Sequence, residues 1–389
     1  MAITIERDDT RLIDVPRGLA NVVAAETRIG DVRGAEGFFH YRGVSGVDLA
    51  AQARFEDAWR LVALGALPRD AQEAGAFRER IGESRVLPPA VVAGLKASLQ
   101  PGAVLDPMAT LRTGLALLFA SDGRVPLYDE PPAAREDDAI RLAAAAPALI
   151  AAAYRLAHGL TPLTPDPTRD PISDYLRMLT GAEPDTRLVT ALATYLTAAI
   201  DHGFNASTFA ARVIASTGAD LASCVSGALG ALAGPLHGGA PARTLEMLDE
   251  IAAPERAEEW VRERVARGDR IMGFGHAVYR TEDPRSRLLR DVARRLRAEG
   301  LAGERVDLAV TVEQTVLRVL DELKPGRTLR TNVELYAAVV MEACGIPREL
   351  FTPTFASARL IGWGAHACEQ AQEGKIFRPS SRYVGEPAS

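Results

Sequence analysis

Two histidines in glycine-rich segments are the residues of this chain that most clearly suggest chemistry. His237 stands in GPLHGG (234–239) and His276 stands in GFGHAVYRTEDPR (273–285). Glycine lets a backbone and a ligand approach closely, because it carries no Cβ. The same part of the chain holds charged residues that could bind or deprotonate a small anion, namely Arg280, Arg285, Glu334 and Arg359. We therefore expect a small-molecule site that performs acid–base chemistry on an anion.

His237 lies just before a helix that is predicted to begin near Ala240. The N-terminus of a helix carries partial positive charge, which disfavours a second proton on a nearby imidazole. A neutral imidazole in this place can donate one hydrogen bond to a developing oxyanion. The alternative is a histidine that caps a loop carbonyl, and taken alone the motif favours that structural role.

The arginines Arg285 and Arg359 could each hold a carboxylate. Asp283 and Pro284 resemble an N-cap and the first position of a helix, so Arg285 would start that helix beside free backbone amides. An arginine on a solvated helix face is the alternative. Arg359 is the only charge in the apolar stretch FTPTFASARLIGWGAH and needs an anionic partner. That partner could be a protein carboxylate or a carboxylate of the substrate.

Three further residues have both a functional and a structural interpretation. Glu334 stands in the first turn of a predicted apolar helix, where a glutamate commonly interacts only with the helix dipole. His202, in DHGFNASTFAAR, is either a residue at a helix end or a ligand contact. Arg378, in RPSSRYVG, belongs to a proline-bearing tail that is mobile unless it docks on something.

The composition is that of an ordinary soluble globular protein. The chain has 389 residues, of which 47% are hydrophobic and 25% charged, and the net charge of −6 argues against nucleic acid as a partner. Its three cysteines are far apart and lack the spacing of metal ligands, so we expect no metal and a reducing, cytoplasmic setting. No signal peptide is expected, and the apolar run from Leu142 to Leu156 is too short for a membrane span and predicts a buried helix.

Helical periodicity dominates, so the predicted fold is mainly α, with short β-hairpins near the N-terminus at 3–6, 27–32 and 37–41. The charge-rich part of the chain predicts a smaller domain over 235–331, inserted into a larger one made of 1–234 and 332–389. Helices are predicted over 50–64, 70–82, 88–99, 109–121, 139–157, 172–180, 186–201, 208–216, 220–233, 240–251, 257–267, 285–299, 305–323, 333–344, 347–350 and 356–372.

Ten segments, in one order along nearly the whole chain, resemble the citrate synthase family. They are HYRGV, RFEDAWRLVALGALP, DPMATLRTGLALL, YLRMLTGAEPD, DHGFNASTFAARV, GPLHGG, MGFGHAVYRTEDPR, NVELY, GIPRELFTPTFASAR and RPSSRYVG. The resemblance implies a mainly helical, two-domain homodimer of the simple dimeric type. It also implies condensation of an acyl-CoA with oxaloacetate in the cleft between the domains.

The resemblance also assigns a role to each candidate residue. It implies that His237 hydrogen-bonds the thioester carbonyl and that His276 polarises the ketone of oxaloacetate. It implies that His202, Arg285 and Arg359 bind the carboxylates of oxaloacetate. It further implies that Arg378 reaches the substrate from the neighbouring subunit and that Arg280 contacts a CoA phosphate. It finally implies coenzyme A as a thioester co-substrate and no permanently bound cofactor.

One position departs from the family pattern and leaves alternatives open. The usual catalytic base is an aspartate, and here that position is Glu334, whose carboxylate lies farther from the backbone by roughly 1 Å; a displacement of that size can cost about a hundredfold in rate. We expect citrate synthesis from acetyl-CoA. The alternatives are 2-methylcitrate synthesis from propionyl-CoA and a non-catalytic paralogue that binds acyl-CoA or a dicarboxylate.

Overall fold

The computed structural model describes residues 12–99, 105–237, 240–276, 278–324 and 329–386. Over these residues the protein is mainly helical, as the sequence predicts. The helices are α1 (Gly46–Gln52), α2 (Phe55–Leu64), α3 (Ala71–Ser84), α4 (Pro89–Ser98), α5 (Pro107–Ser121), α6 (Pro132–Ala157), α7 (Pro171–Thr180), α8 (Thr186–Ala199), α9 (Ala206–Ala215), α10 (Leu221–Ala233), α11 (Ala240–Ile251), α12 (Ala257–Arg267), α13 (Pro284–Ala298), α14 (Arg305–Leu323), α15 (Val333–Ala343) and α16 (Phe351–Glu373).

A small antiparallel sheet precedes the helices. Its strands are β1 (Gly30–Arg33), β2 (Phe38–Tyr41) and β3 (Val44–Ser45), in the order β1-β2-β3. The first pair confirms the hairpin signal at 27–41, whereas β3 was not predicted. The predicted strand at 3–6 lies outside the described residues.

The core is centred on α6 and α16, which pack along each other. Most residues of α6 from Ala139 onward are buried alanines, leucines and isoleucines, and small side chains let the two helices approach closely. A Cβ added at Gly364 of α16 would lie only 2.9 Å from the Cβ of Ala139. Among the described residues, α6 is the one helix long and apolar enough to cross a membrane, but 72% of its most apolar window is buried inside the protein, which is typical of a core helix.

Three predicted helices had a wrong boundary or an undetected break, and one of them is α6, which begins at Pro132 rather than at residue 139. The predicted helix over 50–64 is broken, because Ala53 is extended (φ −87°, ψ 159°) and separates α1 from α2. Helix α16 begins at Phe351 rather than at residue 356, with Pro353 in its first turn. Proline is tolerated there because the first backbone N–H groups of a helix have no partner within the helix. The short predicted helix over 347–350 is a 3-10 turn, Arg348–Leu350.

The helices that carry the second half of the chain position the candidate site. Helices α11 and α13 both pack against α15, and α14 packs against α12. An isolated antiparallel bridge joins Phe274 to Thr331, so the loop before α13 lies beside the start of α15. The division into two domains at 234/235 and 331/332 stays a prediction.

Candidate active site

A cavity of about 290 Å³ lies where α15 and α16 meet the loops before α9, α11 and α13. Six of the eight predicted site residues line it: His202, His237, His276, Arg285, Glu334 and Arg359. The remaining lining residues are Asn205, Leu232, Leu236, Val278, Asn332, Val333, Thr352 and Phe355. The structure therefore brings together residues that are up to 157 positions apart in the sequence.

Asn332 holds the loop of His276 against the helix of Glu334. Its side-chain Nδ2 donates to the carbonyl of Gly275 at 2.9 Å, and its Oδ1 accepts from the backbone N–H of Glu334 at 3.0 Å as the N-cap of α15. Its own N–H donates to the carbonyl of Gly273. Gly273 and Gly275 both have positive φ values (82° and 85°), which only glycine adopts at no steric cost. The glycines of this motif therefore shape the loop that carries His276.

Hydrogen bonds fix which nitrogen of His276 carries the proton. Nδ1 accepts from the backbone N–H groups of Val278 at 3.0 Å and Tyr279 at 3.1 Å, so the neutral ring carries its proton on Nε2. Nε2 lies 3.4 Å from Nη2 of Arg285, which can only donate. Two donors thus converge on a position that an acceptor oxygen can occupy. Burial, followed by the charge of Arg285, lowers the pKa of His276 to about 4, so the ring is neutral at pH 7.

His237 is also held as a neutral donor. Its Nε2 lies 3.3 Å from the backbone N of Ser207 and 2.8 Å from its hydroxyl. A backbone N–H can only donate, so Nε2 carries a lone pair and the proton is on Nδ1. Burial, followed by the charge of Arg359, lowers the pKa of His237. The sequence predicted a neutral ring because of the helix dipole, and burial is the larger cause.

Arg285 is clamped by the carboxylate of Asp283. Nε and Nη2 of Arg285 donate to the two oxygens of Asp283 at 3.0 and 2.8 Å, and the two residues are 3% and 1% exposed. Asp283 also caps α13, as the sequence predicted, and accepts from the N–H of Val333 at 3.2 Å. One carboxylate therefore ties the start of α13 to the start of α15, where Glu334 lies.

Replacing Asp283 with asparagine should destabilise the fold strongly. The change leaves Arg285 buried without its counter-ion, and breaking a buried ion pair costs about 3–5 kcal/mol. Chemical denaturation measures the free energy of unfolding. The matched control is Asp307→Asn, whose exposed pair with Arg297 should contribute less than about 1 kcal/mol. Equal losses in the two variants would contradict the clamp.

Arg359 is 3% exposed and has no carboxylate within ion-pair distance among the described residues. Its Nε donates to the carbonyl of Ala199 at 2.8 Å, and its guanidinium lies over the ring of Phe355 at 4.6 Å. Burial lowers its pKa, although Asp201 opposes the shift. A buried guanidinium that lines a cavity without a carboxylate partner is suited to bind an anionic ligand.

Glu334 lies in the first turn of α15 and lines the cavity. No group of the described residues donates a hydrogen bond to its carboxylate. Burial raises the pKa of Glu334 to about 7, although Arg285 opposes the shift. A carboxyl with a pKa near neutrality is well matched to proton transfer at neutral pH.

His202 lies among aromatic rings. Its ring is 5.6 Å from that of His276 and 5.6 Å from that of Phe39, and neither of its nitrogens has a hydrogen-bond partner among the described residues. Burial, with the charges of Arg285 and Arg359, lowers the pKa of His202 well below its usual value. Its nitrogens therefore have hydrogen-bonding capacity that no described residue uses, and both are shielded from solvent.

The other two predicted site residues lie outside the cavity. Arg280 is exposed, and its backbone N–H donates to the carbonyl of Gly34. Arg378 is exposed on the segment after α16. Sequence reasoning missed Asn205, Ser207 and Asn332, although Asn205 and Asn332 each precede a helix at an N-cap position, which is a signal that could have identified them.

Comparison with known proteins identifies the family. The profile of "Citrate synthase, C-terminal domain" matches residues 18–380. The chain belongs to the citrate synthase family. It is an enzyme of the citrate synthase type, an acyltransferase. Membership of the family supports, at family level, a reaction in which acetyl-CoA condenses with oxaloacetate.

The chain is similar both to citrate synthases and to a 2-methylcitrate synthase. A citrate synthase from Synechocystis sp. is 37% identical, over 95% of this chain and 90% of the relative. A 2-methylcitrate synthase from Mycobacterium tuberculosis is 35% identical, over 96% and 91%. The structure of the ternary complex of carboxymethyl coenzyme A and oxaloacetate with citrate synthase from Thermoplasma acidophilum superposes with a TM-score of 0.87, 28% identity and 97% coverage of both chains.

Proposed function

We propose that this protein condenses acetyl-CoA with oxaloacetate and water to give citrate and CoA. The observation that supports the proposal most directly is the convergence on one cavity of a carboxyl with a pKa near 7 and two neutral imidazoles. A base and two hydrogen-bond donors are what enolisation of a thioester and attack on a ketone require.

Oxaloacetate is the anion that we assign to the arginine side of the cavity. Arg359, which lacks a protein carboxylate, would bind one carboxylate of oxaloacetate, and Arg285 and His202 would bind its carboxylate groups from the other side. The ketone oxygen would then accept from His276 Nε2–H, beside Arg285 Nη2. Hydrogen bonds to this oxygen make the ketone carbon more electrophilic.

The reaction then follows from the positions of Glu334 and His237. Glu334 takes a proton from the methyl group of acetyl-CoA, and the C–H electron pair moves into an enolate whose oxygen accepts a hydrogen bond from His237 Nδ1–H. The methylene carbon of the enolate attacks the ketone carbon, and the resulting alkoxide takes up a proton to become a hydroxyl, which is balanced by release of the proton that Glu334 accepted. Water then cleaves the thioester of the product, which releases CoA and citrate.

The extra methylene of Glu334 is compatible with this role because the structure places the residue on the cavity wall. The N-cap bond from Asn332 fixes the backbone of Glu334, so the longer side chain can extend toward the substrate without moving α15. We propose that the carboxylate acts as the base despite the family's usual aspartate.

The pH dependence of turnover tests the base. Because burial raises the pKa of Glu334 to about 7, the reactive carboxylate is lost as the pH falls through 7. We expect kcat/KM for acetyl-CoA to fall about tenfold per pH unit below 7 and to level off above it. A profile that is flat between pH 5 and 8 would contradict a Glu334 base.

Thiol release across short acyl-CoAs, with oxaloacetate in excess, tests the overall proposal. We expect acetyl-CoA to give the highest kcat/KM. The second candidate, 2-methylcitrate synthesis from propionyl-CoA, is favoured by the similarity to the M. tuberculosis 2-methylcitrate synthase, and a strong propionyl preference would establish it. Oxaloacetate binding by calorimetry without CoA release from any thioester would instead indicate a binding protein.

The proposal extends to assembly and location. We place the enzyme in the cytoplasm as a homodimer, in which Arg378 reaches the site of the neighbouring subunit and Arg280 contacts a CoA phosphate. We also propose that residues 235–331 form a smaller domain, which would close over the substrates. Mixing an Arg378→Ala subunit with a Glu334→Gln subunit tests the dimer, because the mixed dimer should regain one complete site. No regain of activity would contradict a shared site.

A further inference from the structure

His202 depends on its backbone for its position in the cavity. Neither ring nitrogen has a hydrogen-bond partner among the described residues, so ring packing and the segment 199–203 are what orient it. The contacts that support this segment therefore determine where the His202 ring lies in the cavity.

Segment 199–203 lies on one face of α16 and contacts it at three successive turns. The first contact is the hydrogen bond from Arg359 Nε to the carbonyl of Ala199 at 2.8 Å. The second is at Gly362, where an added Cβ would collide with the carbonyl oxygen of Ile200. The third is His366, whose Nε2 lies 3.3 Å from Oδ1 of Asp201. Residues 359, 362 and 366 share a face because they are spaced by three and four.

The carboxylate of Asp201 holds the segment on both sides of His202. Asp201 is 1% exposed, and its Oδ1 faces His366 while its Oδ2 accepts from the N–H of Gly203 at 3.2 Å. The residues before and after His202 are thus held by one carboxylate. Loss of either bond would remove one restraint on the backbone that carries the imidazole and leave the Tyr41 hydroxyl, which donates to the carbonyl of Asp201 at 3.3 Å.

The direction of the Asp201–His366 bond is fixed by Arg212. Nη1 of Arg212 lies 3.4 Å from Nδ1 of His366 and can only donate, so His366 carries its proton on Nε2 and donates it to Asp201. Arg212 is fully buried, and its other hydrogen bonds go to Gln370 at 2.8 Å, Glu369 at 2.6 Å and Glu373 at 3.0 Å. Each group in this series of hydrogen bonds therefore donates to the next one, from Arg212 to His366 and from His366 to Asp201.

We propose that His366 and Asp201 are positioning residues for the oxaloacetate end of the reaction, acting through His202. This inference depends on the proposed function. It concerns residues that do not line the cavity, and it predicts a selective effect: oxaloacetate affinity should depend on His366, whereas acyl-CoA affinity should not.

The test compares His366→Phe with His366→Gln. Phenylalanine fills the space without bonding to Asp201, so we expect KM and the calorimetric Kd for oxaloacetate to rise by at least about tenfold, while KM for acetyl-CoA changes less than about threefold. Glutamine can donate through Nε2 and accept through Oε1, so it should restore both values to within about threefold of wild type.

Gly362→Ala gives a second variant that keeps both His366 and Asp201, because its new Cβ would collide with the carbonyl oxygen of Ile200 and lie 3.2 Å from Oδ1 of Asp201. It should show the same selective loss of oxaloacetate affinity. Tyr175→Phe is the matched control, since it removes a buried 2.7 Å hydrogen bond to Thr354 of α16 away from segment 199–203. It should lower thermal stability and leave both KM values unchanged.

The outcomes separate this inference from the proposed function. Wild-type enzyme that neither binds oxaloacetate nor releases CoA would overturn both. Active wild type with unchanged oxaloacetate affinity in folded His366→Phe, or with equal losses for both substrates, would overturn the positioning role alone. A selective loss that glutamine restores would support it.

Discussion

Replacing Glu334 with glutamine is expected to lower kcat by about a thousandfold, within the range that a general base contributes. An amide cannot accept the methyl proton, whereas the volume of the side chain and the N-cap at Asn332 are kept. KM and the calorimetric Kd for oxaloacetate should stay within about threefold, because binding of this anion is assigned to Arg285 and Arg359. Steady-state thiol release measures the first quantity and calorimetry the second.

One matched control makes the Glu334 result specific. Glu342→Gln removes a carboxylate from the same helix, where it pairs with Arg305 and Arg348 away from the cavity, and should keep wild-type kcat.

Thermal stability should rise in Glu334→Gln. The folded-state pKa of about 7 exceeds the usual 4.5, so the wild-type carboxyl destabilises the fold increasingly between these pH values and fully above 7. Wild-type kcat in Glu334→Gln would show that the base is elsewhere.

Replacing Arg359 with leucine is expected to raise KM for oxaloacetate by about a hundredfold or more, since truncating one partner of a buried charge pair costs about 2–5 kcal/mol. The fold should tolerate the change, because no carboxylate of the described residues pairs with Arg359 and none is left without its counter-ion. KM for acetyl-CoA should change little. Initial rates with each substrate varied in turn measure both constants.

The controls for Arg359 separate charge from geometry. Arg359→Lys keeps the charge but loses the planar fork, so its oxaloacetate KM should lie between those of wild type and leucine. Arg348→Leu removes an arginine from an exposed ion-pair cluster and should leave KM unchanged. An unchanged oxaloacetate KM in Arg359→Leu would remove the residue from the anion site.

The sequence predicted most helices because their caps and apolar periodicity are local. Asp70, Asp106, Asp185 and Asp220 each accept a hydrogen bond from the first turn that follows them. The break at Ala53 was not predictable in this way, because alanine and arginine favour helix and only tertiary packing sets the extended conformation there. The start of α6 at Pro132 did have a local signal, a proline at the first helical position, that was not used.

The candidate site residues were predictable from the sequence, whereas the residues that form hydrogen bonds to them or to their supporting segments were less predictable. His237, His276 and Arg359 stand out as polar residues in glycine-rich or apolar surroundings. By contrast, Ser207 is 30 positions from His237 and Asp201 is 165 from His366, so only the fold pairs them. The protonation of the two imidazoles also needed the structure, because burial and a nearby arginine lower each pKa, and specific backbone N–H groups determine which ring nitrogen carries the proton.

Hydrogen–deuterium exchange at the methyl group of acetyl-CoA tests the central claim most directly. With malate in place of oxaloacetate, the two carboxylates are present but no ketone is available for attack, so proton removal is seen alone. In D2O, followed by proton NMR, the wild-type enzyme should exchange the methyl hydrogens and Glu334→Gln should not. Exchange in Glu334→Gln at the wild-type rate would contradict a mechanism in which Glu334 deprotonates the acyl-CoA.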